Sequence, residues 1–309
     1  MGGLGISGQA EVTVRTAEGQ IKGRCVFNNT IRLAVLESLM GAVCNSEPYP
    51  PPLVPERIYC KLDNQLQTNL GVIGNNSSTV VIDDNTIAAQ FSVYGLTVDW
   101  SDSSSSFAAL VSHIYLLGSP LGGSYTSIAV ASRAAGEIDP VAHVTENDTI
   151  DVVYSIFIRA QQDVNLEFLN RLSYLIRGVK RLVRGQGEEV DYNVMISRAR
   201  LFNDLGEESA KGVLYLPYGN PSTTETRTQI TFFDVDTAPF QIRLYLWDAE
   251  LDLLTEVFRD SVNVEGWHSG DTVLVPFSIT FRRPTTPSPT SPGQADEFLG
   301  VETQQPDLI

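Results

Sequence analysis

Two stretches far apart in this chain are near copies of one another. Residues 147–159 read Asn-Asp-Thr-Ile-Asp-Val-Val-Tyr-Ser-Ile-Phe-Ile-Arg, and residues 270–282 read Gly-Asp-Thr-Val-Leu-Val-Pro-Phe-Ser-Ile-Thr-Phe-Arg. Without any gap, Asp148/Asp271, Thr149/Thr272, Val152/Val275, Ser155/Ser278, Ile156/Ile279 and Arg159/Arg282 are identical. Apolar and polar residues alternate through both, which is the period of a half-buried strand. A chain that repeats a strand this closely is constrained to a fold that uses one unit twice.

The order of the preceding segments supports that reading. His113–Gly118 and Arg243–Asp248 both alternate as strands. Before them stand Phe91–Leu96 and Ile230–Val235, and earlier again Ile58–Leu62 and Tyr192–Ile196. Each half opens with a helix. The first is expected after Asn28-Asn29-Thr30, good capping residues, with Ile31, Val35, Leu36, Leu39 and Val43 as its apolar stripe. The second is expected to start near Asn165, to keep helical spacing from Phe168 to Val183, and to close at Gly185 and Gly187.

Short β-branched strands joined by Gly, Asn and Ser turns point to a mainly β fold: two tandem antiparallel β-sandwich (jelly-roll-like) domains, each preceded by one α-helix. The expected division is an N-terminal arm and β-hairpin over 1–27, helix plus sandwich over 28–162, helix plus sandwich over 163–283, and a Pro-rich extended tail over 284–309. The tail reads Pro-Thr-Thr-Pro-Ser-Pro-Thr-Ser-Pro-Gly at 284–293, which cannot build a core. With 309 residues there is enough chain for two cores.

Charge narrows the function classes. The chain carries 21 basic and 37 acidic residues, a net charge of −16. That surface repels phosphate backbones, so general nucleic-acid binding is not expected. No apolar run is long enough for a membrane span, and the N-terminus lacks the features of a signal peptide. Cys25, Cys44 and Cys60 form no CxxC pair and are read as buried thiols.

Motifs for chemistry are weak. Gly3–Gly8 fits GxGxxG by letter but lacks the strand-to-helix context of a phosphate cradle, and reads as a flexible arm. His113, His143 and His268 have no second ligand at suitable spacing. Asp83-Asp84-Asn85 and Asp99–Asp102 offer oxygen ligands without calcium-loop spacing, and turn chemistry explains them. No catalytic, cofactor or metal residue is assigned, no cofactor is expected, and the chain is read as non-enzymatic. The candidate interface residues are Arg177, Lys180, Arg181 and Arg184, a basic helix side suited to an acidic neighbour, with Phe298 and Leu299 in the tail.

One resemblance rests on Glu11–Arg15, Glu18-Gly19, Gly23-Arg24 and Asn28–Ile31, then on residues 87–160 with Ser132-Arg133 and the final Thr-Ile-x-Val-x-Tyr-Ser-Ile strand. Residues 10–160, and more loosely 165–283, are similar to structural proteins of tailed phages and archaeal viruses. The Pro-rich insert at 48–55 and the second copy depart from that pattern. The resemblance implies a virion subunit of tail, turret, adaptor or capsid-associated type, made in the host cytoplasm. Its implied partners are other copies of itself and other virion proteins, as a homo-oligomer. An alternative is a glycan- or receptor-binding module using Tyr94, Tyr125, Tyr218, Trp247 and Trp267.

Overall fold

A computed structural model describes residues 4–44, 54–63, 66–100, 108–118, 125–132, 143–160, 164–182, 187, 189–213, 225–248, 253–282, 302–303 and 307–308. They form a mainly β molecule with two helices and several antiparallel sheets. In chain order the first half holds β1 (Leu4–Arg15), β2 (Ile21–Ile31), α1 (Leu33–Val43), β3 (Pro55–Leu62), β4 (Gly71–Val72), β5 (Ser77–Asp83), β6 (Thr86–Leu96), β7 (Ala108–Gly118), β8 (Thr126–Ser132), β9 (His143–Thr145) and β10 (Thr149–Ala160). The second half holds α2 (Leu166–Arg177), β11 (Lys180–Leu182), β12 (Glu189–Asp191), β13 (Ile196–Phe202), β14 (Glu208–Val213), β15 (Glu225–Val235), β16 (Gln241–Asp248), β17 (Leu253–Ser261) and β18 (Asp271–Arg282). Two short strands, β19 (Glu302–Thr303) and β20 (Asp307–Leu308), follow.

Strands of the first half pair in the order β4-β3-β7-β8-β2-β1-β10-β6-β5. The path curls back on itself: Gly71 in β4 lies directly on Val93 and Leu96 of β6, so closely that any Cβ there would collide with Val93. Apolar side chains fill the space between the facing strands, which is the sandwich-like part of the expectation.

The expected N-terminal arm is instead the middle of this sheet. β1 pairs with β10 from Leu4↔Ala160 to Arg15↔Thr149, and with β2 on its other side. Leu4, Ile6, Ala10, Val12 and Val14 alternate and are all buried. Burial of that apolar row outweighs the entropic cost of ordering Gly5 and Gly8.

The second half pairs its strands in a comparable order. β14-β13-β16-β17 follow one another as β4-β3-β7-β8 do, and β15 pairs with β18 as β6 pairs with β10. The turns entering β10 and β18 match in detail. Asp148 accepts from Thr145 N and donates its own N–H to Thr145 O; Asp271 does the same with His268. The residue before each has positive φ, 70° at Asn147 and 91° at Gly270. Both β6 and β15 end in a bulge with a left-handed residue, Gly95 or Asp234. The β15–β18 register differs from that of β6–β10 by two residues, a step that leaves each side chain on its face. The strand expected at Tyr192–Ile196 lies later, at Ile196–Phe202. Asn193 is held in a local turn by accepting from Met195 N, which keeps that stretch out of the ladder.

The two halves are not separate cores. Each helix packs on the other half: α1 lies against β18, and α2 lies against β5, β6 and β10. β1 joins β18 in parallel at Leu4↔Phe281 and Gly5↔Arg282. Val43, Phe168, Ile196, Phe258 and Phe277 meet at the junction, and the buried apolar residues form one continuous cluster through both halves. Cys25, Cys44 and Cys60 are buried free thiols within it.

Both helices differ from expectation at their ends. Asn28 to Ile31 belong to β2, so α1 starts at Leu33 with Arg32 at its N-cap and no side-chain cap bond. For α2 the expected cap holds, since Asn165 accepts from Glu167 N. The helix stops at Gly178, φ 64°, where a Cβ would fall 2.7 Å from Val54 Cγ1. The expected run to Gly185 and Gly187 is therefore cut short, and Lys180–Leu182 is strand β11. Of the tail, β19 and β20 add to the free edge of β18, at Phe277-Ser278 and Val273-Leu274.

Candidate functional site

The sheet β14-β13-β16-β17 buries one face through Ala199, Leu201, Ile242, Leu244 and Leu246. Strand alternation then turns Arg198 and Arg200 of β13 outward, with Arg243, Tyr245 and Trp247 of β16. Register completes the pattern. Lys211 lies opposite Arg200, Arg200 opposite Arg243, and Arg243 opposite Arg259. Four cations thus cross four strands in one row, about 14 Å long at the usual strand spacing.

Like charges directly opposite one another destabilise a sheet. Two carboxylates offset part of that cost. Glu208 lies 2.9 Å from Arg200 and 3.2 Å from Lys211, and Glu256 lies 2.6 Å from Arg259 and 3.8 Å from Arg243. Aromatic rings offset more, since Arg243 lies 4.0 Å over Phe202 and Arg200 lies 5.4 Å over Tyr245. Burial raises the Tyr245 hydroxyl pKa, with Glu256 adding to the rise, so the ring stays neutral beside its guanidinium. Arg198 stands on the same face. Five cations against two carboxylates leave the face positive on a chain whose net charge is −16.

Arg198, Arg200, Lys211, Trp247 and Leu254 line a cleft of about 410 Å³ in this face. Guanidinium groups offer planar pairs of donors to carboxylates. Because Phe202 and Tyr245 are roofed by arginine, their faces are closed to stacking by a base or sugar. The chemistry on offer is recognition of anions.

The related face of the first half carries weaker versions of the same row. Lys61 lies opposite His113, and His113 opposite Ser132. Tyr59 and Tyr115 stack there at 4.7 Å, and Arg57 donates to the Tyr125 hydroxyl at 3.1 Å.

The residues singled out from sequence are not brought together in this way. Arg177 turns inward from the end of α2 and donates to Ser77 O at 2.7 Å and Thr79 Oγ1 at 2.9 Å, tying the helix to β5. Lys180 and Arg181 lie on β11, beyond the helix stop, so the expected basic helix side does not form. Arg184, Phe298 and Leu299 lie outside the described residues, as does Tyr218. Tyr94 is exposed, Trp267 packs partly on the core, and Trp247 lies in the cationic cleft. Asp83 accepts from Asn85 N as an ordinary turn residue. Among the described residues, no group of three His, Cys, Asp or Glu side chains converges on a metal position.

Sequence reasoning missed the cationic row. The signal was present as Arg198-x-Arg200 and Arg243-x-Tyr245-x-Trp247, but only register shows that the arginines are neighbours. No protein-family model matches the chain, and no curated protein or solved structure matches it.

Proposed function

We propose that this chain is a non-enzymatic structural subunit of a virus particle, of tail, turret, adaptor or capsid-associated type, acting through subunit–subunit contacts. It is made in the host cytoplasm and resides in the virion, with other copies of itself and other virion proteins as partners. The observation that carries the reading is the row Lys211–Arg200–Arg243–Arg259, a concentrated cationic face on a chain with net charge −16. An acidic protein that keeps a costly cationic row is built to meet acidic protein surface. The resemblance carried by residues 10–160 supplies the virion setting.

We also read the chain as two copies of one unit. The recurring pairing order and the twin turns at Asp148 and Asp271 support duplication beyond the sequence echo. A second reading, binding of an acidic host-surface glycan, is favoured by Trp247 lying among the cations.

Light scattering of the purified chain across a concentration series tests the assembly reading. A ring or other defined oligomer is expected. A strict monomer at every concentration sinks it and favours the glycan reading, which a glycan array then checks.

A further inference from the structure

The strand-end loops of the second half form a second distinctive surface. Asp204 and Glu207 lie in the β13–β14 turn, Asp234 and Asp236 follow the body of β15, and Glu265 lies between β17 and β18. All five are exposed, and residues 203–207, 233–240 and 262–270 contain neither Lys nor Arg. Three apolar side chains stand among them: Leu205 is 78% exposed, Phe233 68% and Phe240 54%.

These loops are laced into one body. Asn203 Oδ1 accepts from Leu205 N at 3.0 Å and Glu207 N at 2.8 Å. Phe240 N donates to Phe202 O, and Val262 N donates to Phe240 O, each at 2.8 Å. Ser209 and Thr237 hydroxyls lie 2.6 Å apart, and Gly270 N donates to Val235 O at 3.0 Å. The acidic tip is therefore held in place before any partner arrives, which lowers the ordering cost of an encounter.

We propose that the cationic face of β14-β13-β16-β17 docks onto this acidic tip of a second copy of the chain. The proposal rests on the assembly reading above and names the two patches that meet. Each patch supplies what the other lacks. The face offers arginine and lysine donors around Trp247 and Leu254; the tip offers carboxylates around Leu205, Phe233 and Phe240. Both patches combine charged groups with apolar side chains, a mixture that specific interfaces share. Repulsion between two chains of charge −16 is screened beyond about 8 Å at physiological salt, so the local match decides the encounter. A nucleic acid is the poorer occupant, since the rings beneath Arg200 and Arg243 are covered and the rest of the chain is acidic.

The test uses the full chain and four variants. Lys211→Glu with Arg259→Glu reverses the two row members with most exposure, 71% and 49%. Asp204→Lys with Asp236→Lys reverses the tip, and a fourfold variant carries both pairs. Lys211→Gln with Arg259→Gln is the mild control should reversal impair folding, which circular dichroism melting checks. Each reversal should weaken self-association by about tenfold or more, the neutral pair by less, and the fourfold variant should recover it. High salt should weaken the wild type.

A wild type that associates while the reversals leave its mass unchanged, or a fourfold variant that stays weak, overturns this docking and leaves the assembly reading standing. A wild type that never associates removes the assembly reading itself. Retention of a monomeric wild type on heparin, lost in Lys211→Glu/Arg259→Glu, would instead assign the face to an acidic polymer.

Discussion

At the scale of single residues, Asp148 and Gly178 carry more than their surroundings suggest. Asp148 accepts from Lys22 Nζ at 2.6 Å and from both Thr145 N and Thr145 Oγ1 at 2.7 Å. Burial alone would raise its pKa, but the Lys22 and Thr145 donors outweigh it and hold the carboxyl below its ordinary value. A lowered folded-state pKa means that the pairing stabilises above the unfolded value, about 3.9, and is lost as pH falls through the folded value. Asp148→Asn should therefore cost about 1 kcal/mol near neutrality, after allowance for screening at half-exposed Lys22, and the difference from wild type should begin to shrink near about pH 4 and vanish only below the lowered folded value. Denaturant unfolding at several pH values measures this; an unchanged gap in acid contradicts it. Gly178→Ala forces a Cβ into a left-handed position against Val54, and should cost about 1–3 kcal/mol in thermal unfolding. Neither role was legible beforehand. The repeat drew attention to Asp148, but its donor Lys22 is brought in by the sheet, and Gly178 sits inside an apolar stripe that runs on past it through Val179 and Leu182.

At the scale of elements, what was legible follows from period and what was not follows from partners. β6, β7, β10, β15, β16 and β18 were all visible as alternating segments, because each buries one face. The hairpin of β1 and β2 was legible from Glu11 onward, yet Gly3–Gly8 suggested a flexible arm; only pairing with β2 and β10 carries the strand back to Leu4 and makes it central. The start of α2 was readable from Asn165, and its face from Phe168, Leu169, Leu172 and Leu175. That this face lies on the first half was not, since an apolar stripe does not name its partner. The exchange of helices has a direct consequence. Residues 1–162 expressed alone lack α2 over β5, β6 and β10, and should give a broad, weakly cooperative melt with dye-binding apolar surface. A sharp melt for that fragment would show that the halves fold independently. In the intact chain Phe168→Ala, at a side chain 2% exposed, should cost about 3–5 kcal/mol.

At the scale of the whole molecule, composition and arrangement tell different stories. The sequence total of −16 describes an acidic protein, and so it argued against general nucleic-acid binding. Folding sorts the charges: the sheet face collects Arg198, Arg200, Lys211, Arg243 and Arg259, while the loops at the strand ends keep carboxylates without a Lys or Arg among them. A sum of charges cannot reveal such sorting, because it depends on strand register. The likeness of β10 and β18, by contrast, was legible as an echo between 147–159 and 270–282 before any pairing was known.

The central place of β1 bears on how the protein is made. Leu4 needs Ala160 on one strand and Phe281 on another. Synthesis delivers about 5–20 residues per second, so β1 waits on the order of ten seconds for β10 and longer for β18. During that interval the nascent hairpin of β1 and β2 shows an unpaired edge and an apolar row from Ala10 to Val14, a surface that invites aggregation or capture by a chaperone. Because β1 finds its last neighbour only at Phe281, the fold cannot close until that residue has been made, and yield depends on how well that interval is protected.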